Sequence, residues 1–267
     1  MLHEPLVDFL RSARRILVFT GAGISTHSGI PDYRGAKGIW KERKPVDYQD
    51  FMNSEKARTT YWKFYAHDWE QYHNAKPNLI HQAIVDLELA QKLECVVTQN
   101  IDGLHLLAGT SPRKLIELHG TARSVECQTC HEWSSPDPYI EYFLQNRVCP
   151  RCKCGGFLKP ATISFGQNLK EEDLLLAGQH ALSCDLVLSI GSTLSVYPAQ
   201  SIPLLAAERG TPYIIINKGP TDHDSHSRLT LRLEGDALEI FHPAVQKSLE
   251  KIKSCGVSCR DAWEEDR

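Results

Sequence analysis

The chain has 267 residues, 42% hydrophobic and 24% charged, the balance of a soluble globular protein with one large domain and an insertion. Its formal net charge of −3 leaves no global basic field, so no direct nucleic-acid partner is implied. No apolar run approaches the ~20 residues of a bilayer span, and residues 1–5 lack the basic and apolar regions of a secretory leader, so a cytoplasmic protein with no membrane partner is expected.

In chain order, the continuous apolar run 16–19 predicts a first strand of the buried, parallel-sheet type. It enters Thr20-Gly21-Ala22-Gly23-Ile24-Ser25. Glycines at a strand-to-helix turn let the backbone approach a phosphate, which the helix N-terminus then holds. The full Gly-x-Gly-x-x-Gly pattern is absent, and an ordinary tight turn would carry the same glycines. Next comes Pro31-Asp32-Tyr33-Arg34-Gly35, a carboxylate, a ring and a guanidinium on one loop, suited to closing over a cofactor. Residues 36–77, rich in aromatics and charge, read as a small helical insertion. Within it, Lys41-Glu42-Arg43-Lys44 reads as a solvated basic loop.

A helix at 80–92 leads to a strand at 95–98, which ends in Gln99-Asn100-Ile101-Asp102. In an open α/β sheet, ligands bind beyond the carboxyl ends of the strands. Asn100 and Asp102 offer the donors and acceptors that an amide-bearing ligand needs, and Gln99 an acceptor for ribose hydroxyls. Turn chemistry after a strand would use the same residues. His119 follows a short apolar-polar run and precedes Gly120. Its neutral imidazole can accept a proton at physiological pH. His105 reads as a packing residue.

Five of the nine cysteines fall within residues 127–154, a pattern that in a cytosolic protein points to metal before disulfides. Cys127-x2-Cys130 and Cys149-x2-Cys152 have the spacing of a four-cysteine zinc ribbon, and Cys154 competes with Cys152 for the fourth place. Four thiolates leave no open coordination position, so the zinc would be structural. Cys95 and Cys184 belong to core elements, and Cys255 and Cys259 to the tail.

Helices at 173–182 and 199–208 flank a strand at 186–190 that ends in Gly191-Ser192-Thr193. A strand at 213–216 ends in Asn217-Lys218, and a less apolar candidate follows at 229–233. The alternation predicts an α/β, doubly wound, Rossmann-like parallel sheet over residues 1–35, 78–120 and 160–250. The helical insertion at 36–77 and a zinc-ribbon module at 121–159 form the smaller part, and a tail at 251–267 is expected to fray.

Several of these motifs resemble sirtuin signatures, in family order. They are residues 21–25 through 31–35, Thr98-Gln99-Asn100-Ile101-Asp102-Gly103-Leu104-His105, and Glu117-Leu118-His119-Gly120. The cysteine pairs, Phe165-Gly166, Gly191-Ser192-Thr193-Leu194 and Ile216-Asn217 complete the series, which covers residues 10–245. The resemblance implies an NAD-dependent protein-lysine deacylase, a deacetylase by default, acting on an acylated-lysine protein or peptide. NAD is consumed: the acyl oxygen attacks the nicotinamide ribose and nicotinamide leaves. His119 deprotonates a ribose hydroxyl, and the products are lysine and O-acyl-ADP-ribose.

Residues implied to bind NAD are Gly21, Ala22, Gly23, Ser25, Asp32, Tyr33, Arg34, Gln99, Asn100, Asp102, Gly191, Ser192, Thr193, Asn217, Asp236 and Ala237. The spacing from Cys154 to Lys159-Pro160 matches the family and favours Cys127, Cys130, Cys149 and Cys154 as zinc ligands. Tyr33 replaces the family's usual phenylalanine, and Gln167 its usual acid after Phe-Gly. Residues 163–166 match the segment that lines the acyl tunnel and pairs with substrate backbone. Desuccinylating sirtuins carry a tyrosine and, three residues on, an arginine; Tyr65 is followed by Asp68, which disfavours acidic acyl groups. Residues 35–40 and 221–224 resemble the subgroup of the chromatin-associated nuclear sirtuins. Protein mono-ADP-ribosyl transfer from the same NAD site is the alternative activity.

Overall fold

The computed structural model describes residues 3–35 and 38–255. Helix α1 (Glu4–Ser12) starts with a proline in its first turn and buries Leu6, Val7 and Leu10 on one face. Strand β1 (Ile16–Thr20) is buried along its whole length. A 3-10 helix at Ala22–Ser28 follows, and Gly29 closes it in the left-handed region at φ 84°. Helices α2 (Tyr48–Asn53) and α3 (Glu55–Asn74) make the insertion; Ser54 caps α3 by accepting from the Ala57 N–H.

Helix α4 (Leu79–Leu89) begins with a capping box between Asn78 and His81 and leads to β2 (Leu93–Thr98). After α5 (Leu104–Ala108) and the short β3 (Leu115–Glu117), the chain leaves the sheet. It forms β4 (Gly120–Cys127), β5 (Trp133–Ser134), α6 (Asp137–Asn146) and β6 (Leu158–Thr162). It then returns through α7 (Glu171–Ser183), β7 (Leu186–Ile190), α8 (Ser201–Glu208), β8 (Tyr213–Asn217), β9 (Leu231–Glu234) and α9 (Ala237–Cys255).

The large sheet has the order β3-β2-β1-β7-β8-β9, with every pair parallel. The order reverses between β1 and β7, and the diverging connections there open a crevice at the carboxyl edge. One face packs on α1, α4 and α9 through residues such as Leu10, Ile84 and Phe241; the other packs on α7 and α8 through Ala177, Ile202 and Ala206. Burying each large aliphatic side chain contributes about 1.5–3 kcal/mol. The expected doubly wound parallel sheet is what forms.

Residues 36–77 and 121–159, divided in sequence into an insertion and a cysteine module, share one core in a small lobe. Phe51, Trp62 and Tyr65 pack there with Val125, Phe143 and Leu158, and the Trp62 indole N–H donates to the Leu158 carbonyl at 3.1 Å. The antiparallel sheet β5-β4-β6 backs this core. Helix α9 contains Pro243 and still runs to Cys255, where fraying from 251 was expected. Residues 256–267, with Cys259, lie outside the described residues. No helix among the described residues is long and apolar enough to cross a membrane.

Candidate active site

The floor of the crevice is built from three glycines. The Gly21 N–H donates to the Ile190 carbonyl at 3.0 Å, and the Gly23 N–H to the Gly191 carbonyl at 2.8 Å. A Cβ on Gly21 would meet the Gly191 oxygen at 2.7 Å, and one on Gly23 the Gly191 Cα at 2.8 Å. Gly191 sits at φ +65°, and its Cβ would meet the Ile24 nitrogen at 2.6 Å. The turn after β1 and the end of β7 thus touch backbone to backbone. The helix expected to open here is the 3-10 segment of seven residues, so no α-helix N-terminus stands at the turn.

A cleft of about 1640 Å³ runs from this floor to the small lobe. Its wall includes Gly21, Ala22 and Gly23, the loop residues Asp32, Tyr33 and Arg34, and Gln99 and Asn100 beyond β2. Gly191, Ser192 and Thr193 follow β7, Asn217 ends β8, and Asp236 and Ala237 open α9; all line the same cleft. The Gln99 amide donates to Ser192 Oγ at 2.7 Å, joining the ends of β2 and β7 across β1. Asp236 accepts from the Leu238 N–H and pairs with His27 at 2.9 Å, which together hold its carboxyl below the usual range despite partial burial.

Ser25 and Asp102 stand elsewhere than expected. Both are buried behind the wall, and neither lines the cleft. Ser25 Oγ donates to Asp102 Oδ2 at 2.7 Å, and Asn100 Nδ2 donates to Ser25 Oγ at 3.3 Å and to the Gly21 carbonyl at 3.2 Å. Asp102 also accepts from the Leu104 N–H at 2.9 Å. Burial raises its pKa, opposed by those two bonds and by the Arg123 charge. The Ser25–Asp102 pair and the Gly21 carbonyl together hold the Asn100 amide.

His119 follows β3 and lines the cleft half-buried. Its Nδ1 lies 3.0 Å from the Gln99 carbonyl, and its own carbonyl accepts from the Ile163 N–H at 2.8 Å. Burial lowers its pKa; the Gln99 bond opposes this and the Arg34 charge reinforces it.

At the small-lobe end the cleft is lined by aromatic rings. The Tyr33 hydroxyl lies 3.3 Å from that of Tyr72, and Trp40 stacks between Tyr33 and Phe165 at ring separations of 5.0 and 5.1 Å. Tyr65 lines the wall, but its hydroxyl donates to the Ala122 carbonyl at 2.7 Å. Asp68 is paired with Arg43 at 2.7 Å. The stretch read as a solvated basic loop therefore contributes Lys41, Arg43 and Lys44 to the cleft wall. Arg43 and Trp40 escaped the sequence reading because they meet α3 and Phe165 through tertiary contacts that no local spacing encodes. Gln167 caps its own turn, accepting from the Ser164 N–H at 3.2 Å.

The cysteine set needs correction. The sulfurs of Cys127, Cys130, Cys152 and Cys154 all lie within 4.8 Å of one another, and Cys149 is not among them. Tetrahedral zinc, with sulfurs about 2.3 Å from the ion, needs sulfurs about 3.8 Å apart. The Cys127–Cys154 and Cys130–Cys152 separations of 3.5 and 3.7 Å fit. The bridge between Arg151 and Phe157 closes a small hairpin that brings Cys152 and Cys154 to the cluster together. Gly156 lies against it, where a Cβ would meet Cys127 Sγ at 2.7 Å. Cys149 precedes this hairpin and rests 3.7 Å from Thr59 Oγ1 of α3, packed against the small-lobe core.

The family model described as "Sir2 family" matches residues 21–198. An NAD-dependent protein deacetylase of Thermodesulfovibrio yellowstonii is 40% identical over 226 residues, covering 83% of this chain and 88% of that one. One from Sulfolobus acidocaldarius is 38% identical over 249 residues, covering 93% and 96%. A solved Sir2 homolog–NAD complex superposes with a TM-score of 0.81 at 33% identity, covering 94% of this chain and 95% of that one. A Sir2 complex with deacetylated p53 peptide and 3'-O-acetyl ADP ribose gives 0.82 at 33% identity, covering 94% and 98%. With a parallel sheet opened at β1 and β7, a histidine at that edge and a four-thiol cluster beside it, this chain belongs to the Sir2 family.

Proposed function

We propose that this chain is an NAD-dependent protein-lysine deacylase, with acetyl-lysine as its default substrate and NAD as co-substrate. The observation that carries the reading is the state of His119. The Gln99 carbonyl can only accept, so Nδ1 carries the proton and Nε2 keeps its lone pair. The lowered pKa keeps the ring neutral at physiological pH.

NAD supplies an electrophilic ribose carbon and the hydroxyl whose proton His119 takes. Glycine at residues 21, 23 and 191 lets the turn after β1 and the end of β7 pack backbone against backbone, which forms the floor on which the co-substrate would lie. Asn100, braced by Ser25 and Asp102, presents an amide suited to the nicotinamide end, while Gln99 and Ser192 serve the ribose. Asp32, Tyr33 and Arg34 cover the co-substrate, and Thr193, Asn217, Asp236 and Ala237 border the adenosine half. Ile163 to Gly166 lie beside His119 where an acyl-lysine peptide can add as a strand. Zinc on Cys127, Cys130, Cys152 and Cys154 is structural, since four thiolates close its coordination. We also place the protein in the cytoplasm, a reading supported by the four-thiol cluster and by Cys95, Cys149 and Cys184, none of which is in a disulfide.

The test is incubation with NAD and a panel of acyl-lysine peptides, followed by mass spectrometry. Deacylated peptide with stoichiometric nicotinamide and O-acyl-ADP-ribose supports the reading. Nicotinamide with ADP-ribosylated protein and intact peptide would replace it with mono-ADP-ribosyl transfer.

A further inference from the structure

Arg123, on β4, lies outside the cleft wall, yet it joins the two sides of the cleft. Its Nε donates to the Asp102 main-chain carbonyl at 2.6 Å, and its Nη2 to the Tyr72 carbonyl at 2.9 Å. The side chain passes over Gly103, which sits at φ +68°; a Cβ there would meet Arg123 Cδ at 2.6 Å. Beside it, the Ala122 N–H donates to the Ile101 carbonyl at 2.7 Å. The strand is therefore fastened to the 101–103 loop at two successive residues.

Each carbonyl that Arg123 holds leads to a different part of the site. Tyr72 reaches the Tyr33 hydroxyl on the loop over the cleft. Asp102 reaches Ser25, and through it the Asn100 amide. Among the described residues Arg123 has no ion pair within 4.0 Å; its bonds go to two main-chain oxygens on separate elements. A rigid planar fork with diverging donors fixes the distance between two such acceptors, which a single ammonium cannot do. Burial lowers its pKa, opposed by Asp102 and Glu117. That desolvation is hard to account for as surface decoration.

We infer that Arg123 is a positioning residue for the NAD reaction. It sets the distance between the Asn100–Asp102 pocket and the Tyr33 loop, and so governs the fit of the co-substrate and not that of the acyl-lysine. The inference rests on the deacylase reading above.

The test compares Arg123→Met and Arg123→Lys with the unmodified protein, measuring NAD affinity by calorimetry, the KM for each substrate, and the pH profile. Arg123→Met weakens NAD binding and raises its KM about tenfold, while the peptide KM stays within about twofold. Its acid limb in kcat/KM for NAD moves to higher pH. The charged and titratable groups around Asp102 are Tyr33, Tyr72, Glu117 and Arg123, and both carboxyls lose the same cation. Arg123→Lys keeps the charge, so its limb stays in place while NAD affinity still falls; this variant decides the matter if the methionine one fails to fold. Unchanged NAD affinity in a folded variant, or both KM values rising together, overturns the inference. If the unmodified protein itself fails to bind NAD, the deacylase reading is what fails.

Discussion

The His119 ring nitrogen Nδ1 stands 3.0 Å from the main-chain oxygen of Gln99, a backbone acceptor delivered by the neighbouring strand β2. The contact fixes the tautomer without any carboxylate partner. His119→Ala should retain NAD binding by calorimetry while acyl-lysine turnover falls by about 10²–10⁴. Full turnover by that variant would remove His119 from the mechanism.

The same ring sets the acid side of the pH profile. Its pKa is held below 6.5 by burial and by the Arg34 charge, so the base form persists through neutral pH and is lost only as pH falls through that lowered value. kcat should therefore lose activity at a pH below 6.5. Arg34→Gln removes one of the lowering influences and should move the limb upward. A limb that stays put in this variant would show that Arg34 does not act on the histidine.

Zinc content separates the two cysteine assignments. Cys152→Ser should lose the metal or release it readily to a chelator, with a lower melting temperature, because breaking a four-thiolate site removes folding energy. Cys149→Ser should keep one zinc per chain by elemental analysis. The reverse result would restore Cys149 as a ligand.

Acyl selectivity turns on a pair that faces the cleft. Arg43 is neutralised by Asp68 at 2.7 Å, so an acidic acyl group finds no free guanidinium there. Acetyl-lysine should be turned over faster than succinyl-lysine. Asp68→Asn should narrow that gap by releasing Arg43 toward an incoming carboxylate, and Arg43→Met in the same background should reopen it. A ratio of the two rates that ignores both changes would place the acyl group elsewhere.

Much of this protein could be read along the chain. Continuous apolar runs marked four strands of the large sheet, β1, β2, β7 and β8, since a strand buried on both faces must be apolar throughout. Strand β9, half-exposed at the sheet edge, showed only as a less apolar candidate. The polar residues after β2, β7 and β8 were legible because strand ends expose them in a fixed place. Elements with weaker local signals went unread. Strand β3 has only three residues, α9 carries an internal proline, and α1 and α6 gain their stability from packing.

Within the site, sequence determined which residue types are present, and the fold decided what each one touches. Asp102 read as a ligand contact; in the fold it lies buried behind Asn100, its carboxylate accepting from Ser25 and from the Leu104 N–H just after the left-handed turn at Gly103. Spacing pointed to Cys149 as a ligand and left Cys152 and Cys154 to compete for the fourth place; a hairpin closed by Arg151 and Phe157 brings both of those to the cluster and leaves Cys149 outside it. The motifs name the chemistry because they are local. Arg43 on Asp68, Tyr33 on Tyr72 and Arg123 between two carbonyls join segments distant in sequence, and only packing of the small lobe against the sheet brings such groups within reach.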